Sequence, residues 1–249
     1  MPPRTIRPPP SDGRRRLLLG LAGLPLAGCA IRPALVNPVT APAELPPAPR
    51  VRVGDRWRYV EINGYNGERI AEVAHEAAEV GERIRMRLAD SRGRPRHDEV
   101  YARAWSVITE STFDFPQTYE QPMPLVPEPL VAGPSSRLRT AYRVPDASLR
   151  FAWQQYLDAI GWERVRVPAG EFDALRIERR IWFTHVSHMR FDSFRRDLLW
   201  YAPTVQRWVR REWTGTYRWP GMRWGAPLRE DWIVQELLEH VPSPRMGAA

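Results

Sequence analysis

The sequence contains no lysine and a single cysteine, and both absences exclude kinds of chemistry. Without lysine there is no Schiff-base nucleophile and no lysine general base. With Cys29 as the only cysteine, the chain forms no internal disulfide and no cysteine-based metal site. The GxSxG, HExxH and phosphate-binding glycine motifs are also missing, so no familiar catalytic signature is present. All 37 basic residues counted in the net charge are arginines.

The first 28 residues have the layout of an export signal. Five arginines precede a short apolar segment, Leu17–Ala27, which ends in small residues. The segment is far shorter than the roughly 20 residues that a membrane-spanning helix needs. The residues Leu26-Ala27-Gly28-Cys29 resemble the lipobox of bacterial lipoprotein precursors. That resemblance implies cleavage between Gly28 and Cys29 and acylation of the Cys29 thiol, palmitate included. An ordinary secretory signal and a short membrane helix are the alternatives.

Two further features concern the route and the destination. Gly13–Leu18 contains paired arginines and resembles a twin-arginine export motif, but any basic leader in an arginine-rich protein contains such pairs. The general secretory route is therefore the alternative. Ala30 stands where an aspartate favours retention at the inner membrane in the lipoproteins that this segment resembles. The expected location is the cell envelope, facing the periplasm, at the outer membrane.

The charge balance argues against a nucleic-acid partner. The leader holds five of the 37 basic residues and one of the 29 acidic residues. The remaining 221 residues carry 32 basic and 28 acidic side chains, a net charge of +4. Nucleic-acid-binding domains concentrate basic residues in a patch, whereas here both signs are mixed along the chain. A chain of this length is sufficient for one domain with a sizeable core.

Residues 29–50 are interpreted as the lipidated cysteine followed by a proline-rich tether. Six prolines lie between Ile31 and Arg50, with few charges and no hydrophobic period. Such segments favour extended polyproline II at about 3.1 Å per residue, so twenty residues span about 60 Å. The alternative is that this segment packs back against the domain.

Residues 51–242 are predicted to form one mainly β domain. Arginine alternates with apolar residues in residues 83–88, and similar alternation recurs in residues 52–59, 164–167 and 175–178. Period-2 alternation is typical of strands with one buried and one wet face, which favours antiparallel pairing. We therefore expect a single curved antiparallel sheet, half-barrel-like, with few helices or one short helix. The last residues, 243–249, are predicted to be a disordered tail.

Three segments leave alternatives open. Asp146–Gly161 fits both a helical stripe and a strand, and the strand is favoured because strand patterns follow it. Phe113–Ser136 carries six prolines and is predicted to be a long loop, either across the surface or over the mouth of the sheet. Most of the 11 tryptophans lie after position 150, where they form either a bulky core or an aromatic-lined groove.

Three motifs resemble an uncharacterised family of bacterial lipoproteins. Val165–Ile177 is similar to the strand-turn-strand pattern VxVPAGxFxALxI, Trp200–Pro203 to a WYAP segment, and Gly54–Tyr59 to an opening GDxWxY strand. The resemblance covers residues 51–215 and implies a curved sheet akin to the half-barrel of lipoprotein carriers. It supplies no catalytic residues. Thr204–Gln206 departs from the family, which has glycines there.

The concave face of such a sheet is the predicted site for an apolar ligand. Gly170 permits the tight turn of the motif, and the side chains of Phe172, Leu175 and Ile177 are expected to face inward. Trp57 and Tyr59 are assigned to the same apolar-ligand face.

Other polar residues are interpreted as structural, so no metal, catalytic site or cofactor is predicted. His185 and His188 are three residues apart and point to opposite faces of a strand, which disfavours shared metal ligation.

Two groups of acidic residues could supply the acid–base pair that glycan cleavage needs. The first is Glu171, Asp173 and Glu178, and the second is Glu230 and Asp231 near the C-terminus. Cross-strand pairing with arginine is the plainer interpretation.

Arg207, Arg210 and Arg211 are candidates for contact with lipid phosphates or anionic glycans. The favoured interpretation is that all three lie on a solvated face.

The sequence therefore predicts a lipid-anchored, non-enzymatic protein of the cell envelope. Its expected ligand is apolar, a lipid or acyl chain held in the concave face. The alternative is a structural or assembly partner of an envelope complex, which uses an exposed sheet edge or the proline-rich loop. A glycan-acting enzyme is the third hypothesis, and no nucleic acid partner is expected.

Overall fold

Antiparallel strands make up nearly all of the regular structure. A computed structural model describes residues 34–221 and 225–244. The strands are β1 (Arg56–Asn63), β2 (Arg69–Val80), β3 (Ile84–Asp90), β4 (Glu99–Arg103), β5 (Ser106–Glu110), β6 (Gln117–Pro124), β7 (Ser135–Arg143), β8 (Phe151–Val167), β9 (Gly170–Phe183), β10 (Phe191–Ala202), β11 (Arg207–Arg218), β12 (Leu228–Arg229) and β13 (Ile233–Val241). The one helical element of the described residues is a 3-10 turn at Pro203–Val205. No helix in these ranges combines the length and apolar character required to cross a bilayer.

The strands close into a barrel. From β1 to β11 each strand pairs antiparallel with the next one in the chain. β13 then pairs with both β11 and β1, which completes a ring of twelve strands among the described residues. The short β12 pairs only with the end of β11. The mainly β, antiparallel prediction is confirmed, and the half-barrel prediction is wrong, because β13 joins the last hairpin to the first strand.

The barrel has two ends that differ in content. One, here called the packed end, carries the β8–β9 turn and the 3-10 turn between β10 and β11. The other, the cavity end, carries the loops at 111–116, 184–190 and 225–232.

Tryptophan indoles fill the packed end. The Trp105 ring lies edge-on to Trp57 and Trp208, with ring centres 5.9 and 5.3 Å away. The Nε1 groups of Trp57 and Trp105 donate to the carbonyl oxygens of Val205 and Gln206, at 2.9 and 2.8 Å. Most tryptophans of the described residues are thus core, and the 3-10 turn is bonded to that core.

Gln206 occupies a turn position that favours glycine. Its φ of 60° is left-handed, a conformation that glycine adopts without steric cost. The side chain offsets part of that cost, because its amide donates to the Pro203 carbonyl at 2.7 Å and accepts from the Arg50 N–H at 2.8 Å.

The two ambiguous segments are both resolved by strands. β8 begins at Phe151, so the favoured strand interpretation of Asp146–Gly161 is confirmed from that residue onward. The prediction of one long loop over Phe113–Ser136 is wrong, because β6 lies within it and β7 begins at Ser135. Pro122 lies inside β6, where the register with β5 is irregular, and the other prolines flank β6 or lie in the connection to β7.

The start of the proline-rich segment packs on the barrel, which is the alternative considered above. Residues 34–39, here called the N-terminal arm, pair with the edge of β8 beyond the part that pairs with β7. Val39 N–H donates to the Trp162 carbonyl at 3.0 Å, and Arg164 N–H donates to the Asn37 carbonyl at 2.8 Å. The Arg176 guanidinium donates to the Ala34 carbonyl at 3.1 Å. The arm therefore joins the domain at β8 and β9.

The indole cluster sets an expectation for stability. Trp105→Ala removes the central indole of the packed end and should lower the free energy of unfolding by about 3–5 kcal/mol. Trp219→Ala is the matched control, since Trp219 is 46% exposed, and its effect should be within about 0.5 kcal/mol. Urea unfolding followed by circular dichroism measures both. Equal effects of the two substitutions would contradict a packed core at this end.

Candidate functional site

A cavity of about 840 Å³ occupies the cavity end of the barrel. Part of its wall is aromatic, including Phe113, Tyr142, Phe183 and Trp213. Phe113 belongs to the loop between β5 and β6, and its ring packs against Trp153 and Phe183 with centres 5.4 and 5.7 Å away. This loop side chain extends the aromatic core of β8 and β9 to the cavity.

The rest of the wall is polar and internally paired. Glu61 of β1 accepts from Arg96, with closest atoms 3.1 Å apart, and from the Gln235 amide of β13 at 3.0 Å. Arg96 lies in the β3–β4 loop, so this contact brings the loop to the cavity wall. The cavity thus offers both an apolar surface and hydrogen-bonding groups.

Five buried charged side chains form the floor between the cavity and the packed end, and we call them the ionic layer. They are Glu110, Arg179, Arg195, Asp197 and Arg211. Arg179 contacts Asp197 at 2.8 Å and Glu110 at 3.1 Å, and Arg211 contacts Asp197 at 2.8 Å and also Glu110. Arg195 donates to Asp197 at 2.5 Å and lines the cavity.

Strand register places these charges together. Asp197 and Arg179 are cross-strand neighbours on β10 and β9. Glu110 is the last residue of β5 and reaches the same layer from across the barrel. The layer therefore joins strands that are not neighbours in the ring.

The electrostatics of the layer keep both carboxylates ionised. Burial by itself raises the pKa of the Glu110 carboxyl, but Arg179 and Arg211 outweigh it and hold that pKa well below its usual range. The Asp197 pKa is also lowered, because Arg195, Arg179 and Arg211 together exceed the effect of burial. Buried ions of this kind need every partner in place, since a lone buried charge is costly.

A second buried cluster lies beside the layer and reaches the cavity through Glu99 and His75. The Glu99 carboxylate accepts from the Tyr101 hydroxyl at 2.6 Å and from the Ser111 hydroxyl at 3.0 Å. Arg207 lies 3.5 Å from Glu99 and 3.0 Å from His75 Nδ1. A guanidinium only donates, so His75 Nδ1 accepts and its Nε2 carries the proton.

Two features of this cluster bear on ligand binding and on pH. Burial, reinforced by Arg207, lowers the pKa of His75 well below its usual range, so the imidazole is neutral. His75 lines the cavity, and its Nε2 has no hydrogen-bond partner in the described residues. Arg207 is enclosed by indoles, with its guanidinium carbon 4.2 Å from the Trp208 ring centre and 4.7 Å from that of Trp105.

The prediction that Arg207, Arg210 and Arg211 lie on a solvated face is wrong for two of them. Arg207 and Arg211 are fully buried, and only Arg210 is half-exposed. Glu99, the carboxylate partner of Arg207, and Glu110, one of the two partners of Arg211, lie about a hundred positions earlier in the chain. No local pattern around residue 207 reports such partners.

A third group, here called the mouth cluster, ties the loops of the cavity end together. Asp114 lies 3.0 Å from Arg190 and 3.5 Å from His185 Nε2, and Arg190 lies 3.4 Å from Glu230. The hydrogen bond from His185 and the charge of Arg190 lower the pKa of Asp114, whereas burial raises that of Glu230. His188 is exposed. The described residues contain no cluster of three or more histidine, cysteine or carboxylate side chains arranged to hold a metal ion.

The residues predicted as an apolar-ligand face lie elsewhere. Trp57, Tyr59, Leu175 and Ile177 are fully buried in the barrel core, and Phe172 is half-buried beside it. None of the five lines the cavity. Cavity residues such as Phe113 carry no local sequence signal, because the cavity wall is assembled from strands and loops that are far apart in the chain.

The remaining predicted site residues divide into two groups. Three acidic side chains pair with arginine across strands, as expected: Glu171 with Arg166, Asp173 with Arg164 and Glu178 with Arg196. Gly28 and Cys29 lie outside the described residues, so cleavage and lipid attachment there stay predictions.

Comparison with known proteins places the chain near poorly characterised exported proteins. No protein-family model and no curated protein match the sequence, so the proposed membership of the VPAG-containing family stays a prediction. A candidate lipoprotein of Parabacteroides distasonis is 12% identical, with a TM-score of 0.48, over 76% of this chain and 96% of that one.

Two further solved structures are similar. A candidate exported protein of Bacteroides fragilis with a YmcC-like fold is 10% identical, with a TM-score of 0.40, over 80% of this chain and 100% of that one. The hypothetical lipoprotein YmcC of Escherichia coli is 8% identical, with a TM-score of 0.41, over 76% of this chain and 85% of that one. At this level of likeness no function is transferred.

The ionic layer gives a stability prediction. Arg179→Met leaves Glu110 and Asp197 short of one buried partner and should cost about 3–5 kcal/mol in the free energy of unfolding. Arg166→Met removes an exposed partner of Glu171 and should cost at most about 1 kcal/mol. Chemical denaturation of both variants tests this, and a loss at Arg179 no larger than at Arg166 would show that the layer adds little.

His75 gives a pH prediction. Its pKa is depressed in the folded protein, so the unfolded chain takes up the proton first as the pH falls below 6.5. His75 therefore contributes stability that is present above that pH and is lost on acidification, by up to about 1.4 kcal/mol per pH unit. His75→Gln should flatten the fall of unfolding free energy between pH 6.5 and 5.

His240 leaves a residual slope in that variant, because burial also lowers its pKa. The control is His188→Gln, at an exposed position, which should leave the profile unchanged. A His75 variant with the wild-type slope would contradict a neutral buried imidazole.

Proposed function

We propose that this protein is a lipid-anchored, non-enzymatic protein of the bacterial cell envelope that binds a small amphiphilic molecule inside its barrel. The observation that carries the proposal is the cavity of about 840 Å³ above the ionic layer. Small-molecule sites typically measure about 300–1,000 Å³ and combine apolar walls with a few placed polar groups.

The wall chemistry favours an amphiphile over a bare acyl chain. Phe113, Phe183 and Tyr142 offer an apolar surface to one part of the ligand. His75 lines the same cavity and its Nε2 has no hydrogen-bond partner in the described residues, so a purely apolar ligand would leave that group unpaired. A molecule with both a hydrophobic part and a polar part satisfies the two surfaces together.

The envelope assignment rests on the N-terminal sequence. The basic leader, the short apolar segment and Cys29 after Leu26-Ala27-Gly28 support export followed by acylation at Cys29. Ala30 supports the outer membrane as the destination, with the barrel in the periplasm.

The alternatives have less support. Every strand of the twelve-strand ring has a paired neighbour on each side in the described residues, which leaves less open sheet edge for an assembly partner than a half-barrel would. Glu171, Asp173 and Glu178 face arginines at short range, which favours a structural role over glycan cleavage.

A cavity-filling substitution tests the binding proposal. Val144 lines the cavity, and Leu149 lies in the same loop but is 65% exposed. The full chain should bind the fluorescent amphiphile 1-anilinonaphthalene-8-sulfonate and should retain a co-purifying small amphiphile in native mass spectrometry. Val144→Trp should weaken dye binding about tenfold and remove the co-purifying species, because the indole occupies the ligand volume.

Leu149→Trp adds the same indole outside the cavity and should bind like the wild type. Equal binding by both variants would place the dye elsewhere and reject the cavity as the site. Absence of both dye binding and a co-purifying molecule in the wild type would reject a binding role.

A further inference from the structure

An exposed aromatic patch lies on the outer face of β8, β9 and β10. The Trp182 ring contacts Tyr156 and Phe194, with ring centres 5.5 and 4.9 Å away. Trp182 is 41% exposed, although most tryptophans of the described residues are core. Tryptophan and tyrosine with one wet side are typical of surfaces that meet the headgroup region of a bilayer.

Arginines surround this patch and outnumber the acids. Arg137 and Arg180 lie over the Tyr156 ring, at 5.1 and 5.6 Å from its centre. Arg180 is neutralised by Asp158 at 2.7 Å. Arg137, in contrast, lacks a carboxylate partner within the described residues, and so does its neighbour Arg139.

Those two arginines share a single neutral acceptor. Arg137 and Arg139 both donate to the amide oxygen of Gln154, at 2.9 and 2.8 Å. Because one neutral amide oxygen serves both guanidinium groups, each arginine keeps N–H donors available to an anionic group. Phosphate is such a group, and arginine binds it with paired hydrogen bonds.

The N-terminal arm reaches the same side of the barrel. It is held on β8 by Trp162 and Arg164 and on β9 by Arg176. Arg176 and Trp182 are six residues apart on β9, which is about 20 Å along a strand. The arm and the patch therefore share one outer face.

Chain length restricts which face can approach a bilayer. Cys29 precedes Ala34 by five residues, a span of at most about 18 Å. β3 is six strands from β9 in either direction around the ring, a separation of about 29 Å along the sheet. An acyl group on Cys29 therefore keeps the β8–β9 side near the bilayer and the β3 side away from it.

We propose that the outer face of β7–β10 lies against the membrane surface, with Trp182 in the headgroup region and Arg137 and Arg139 on lipid phosphates. This inference rests on the lipid anchor of the proposed function. The barrel lies on its side, so the cavity end opens along the membrane surface.

Site-directed labelling of the full, lipidated chain tests the orientation. Ala152→Cys places a thiol on the exposed outer face of β8, and Ala89→Cys is the matched substitution on β3. Glu82→Cys marks the turn between β2 and β3 at the packed end. Each variant carries a nitrobenzoxadiazole label in phosphatidylethanolamine–phosphatidylglycerol vesicles that contain headgroup-spin-labelled lipid.

The label at residue 152 should be quenched at least about threefold more than the label at residue 89, because the two faces are separated by a distance of the order of 25–29 Å. Two variants of the proposed membrane face should lower the quenching at residue 152 toward the value at residue 89. One is Trp182→Ser, and the other is the double substitution Arg137→Gln and Arg139→Gln. Arg87→Gln on β3 is the charge control and should leave the quenching unchanged.

The outcomes separate this inference from the anchor on which it rests. In the unsubstituted chain an acylated Cys29 has no free thiol, so labelling of that chain by maleimide would overturn the anchor and the orientation together. With the anchor intact, equal quenching at residues 152 and 89, or the strongest quenching at residue 82, would overturn the orientation alone.

Discussion

The buried contacts of Arg179 with Glu110 and Asp197 are the interaction on which the rest of the structure depends. They link β5, β9 and β10 across the barrel, and Arg211 repeats the same contacts from β11. A buried charge without its partner is costly, so these strands have one acceptable register. Of the five members of the layer, Arg195 also lines the cavity, so the layer contacts the proposed ligand site.

The two ends of the barrel are held together by different contacts. At the packed end, indole N–H groups bond to the turn at Pro203–Val205 and to Gln206, which closes that end with both packing and hydrogen bonds. At the cavity end, the mouth cluster of Asp114, His185, Arg190 and Glu230 joins three loops through partly exposed ion pairs. Loops held by partly exposed ion pairs open at lower free energy than a packed core.

Strand content was readable from the sequence because alternation is a local property. Residues 83–88 and 164–167 lie in or beside β3 and β8 as expected, and the outward acids of β9 pair with arginines as expected. Closure was not readable, since it depends on β13 pairing with β1 across some 170 positions of chain. The cavity was missed for the same reason: its wall combines Glu61, Phe113 and Gln235, which are far apart in the chain.

By itself the sequence indicated the class of the molecule: a signal-like leader before Cys29, a proline-rich connection, and an antiparallel β domain that contains arginine but no lysine. Only the tertiary structure decided which arginines are buried and where the empty volume lies. Arg166 and Arg211 occupy similar alternating surroundings in the chain, yet Arg166 is exposed and Arg211 is enclosed. The difference arises because a strand pattern specifies two faces, whereas the partners that make a buried charge tolerable come from distant strands.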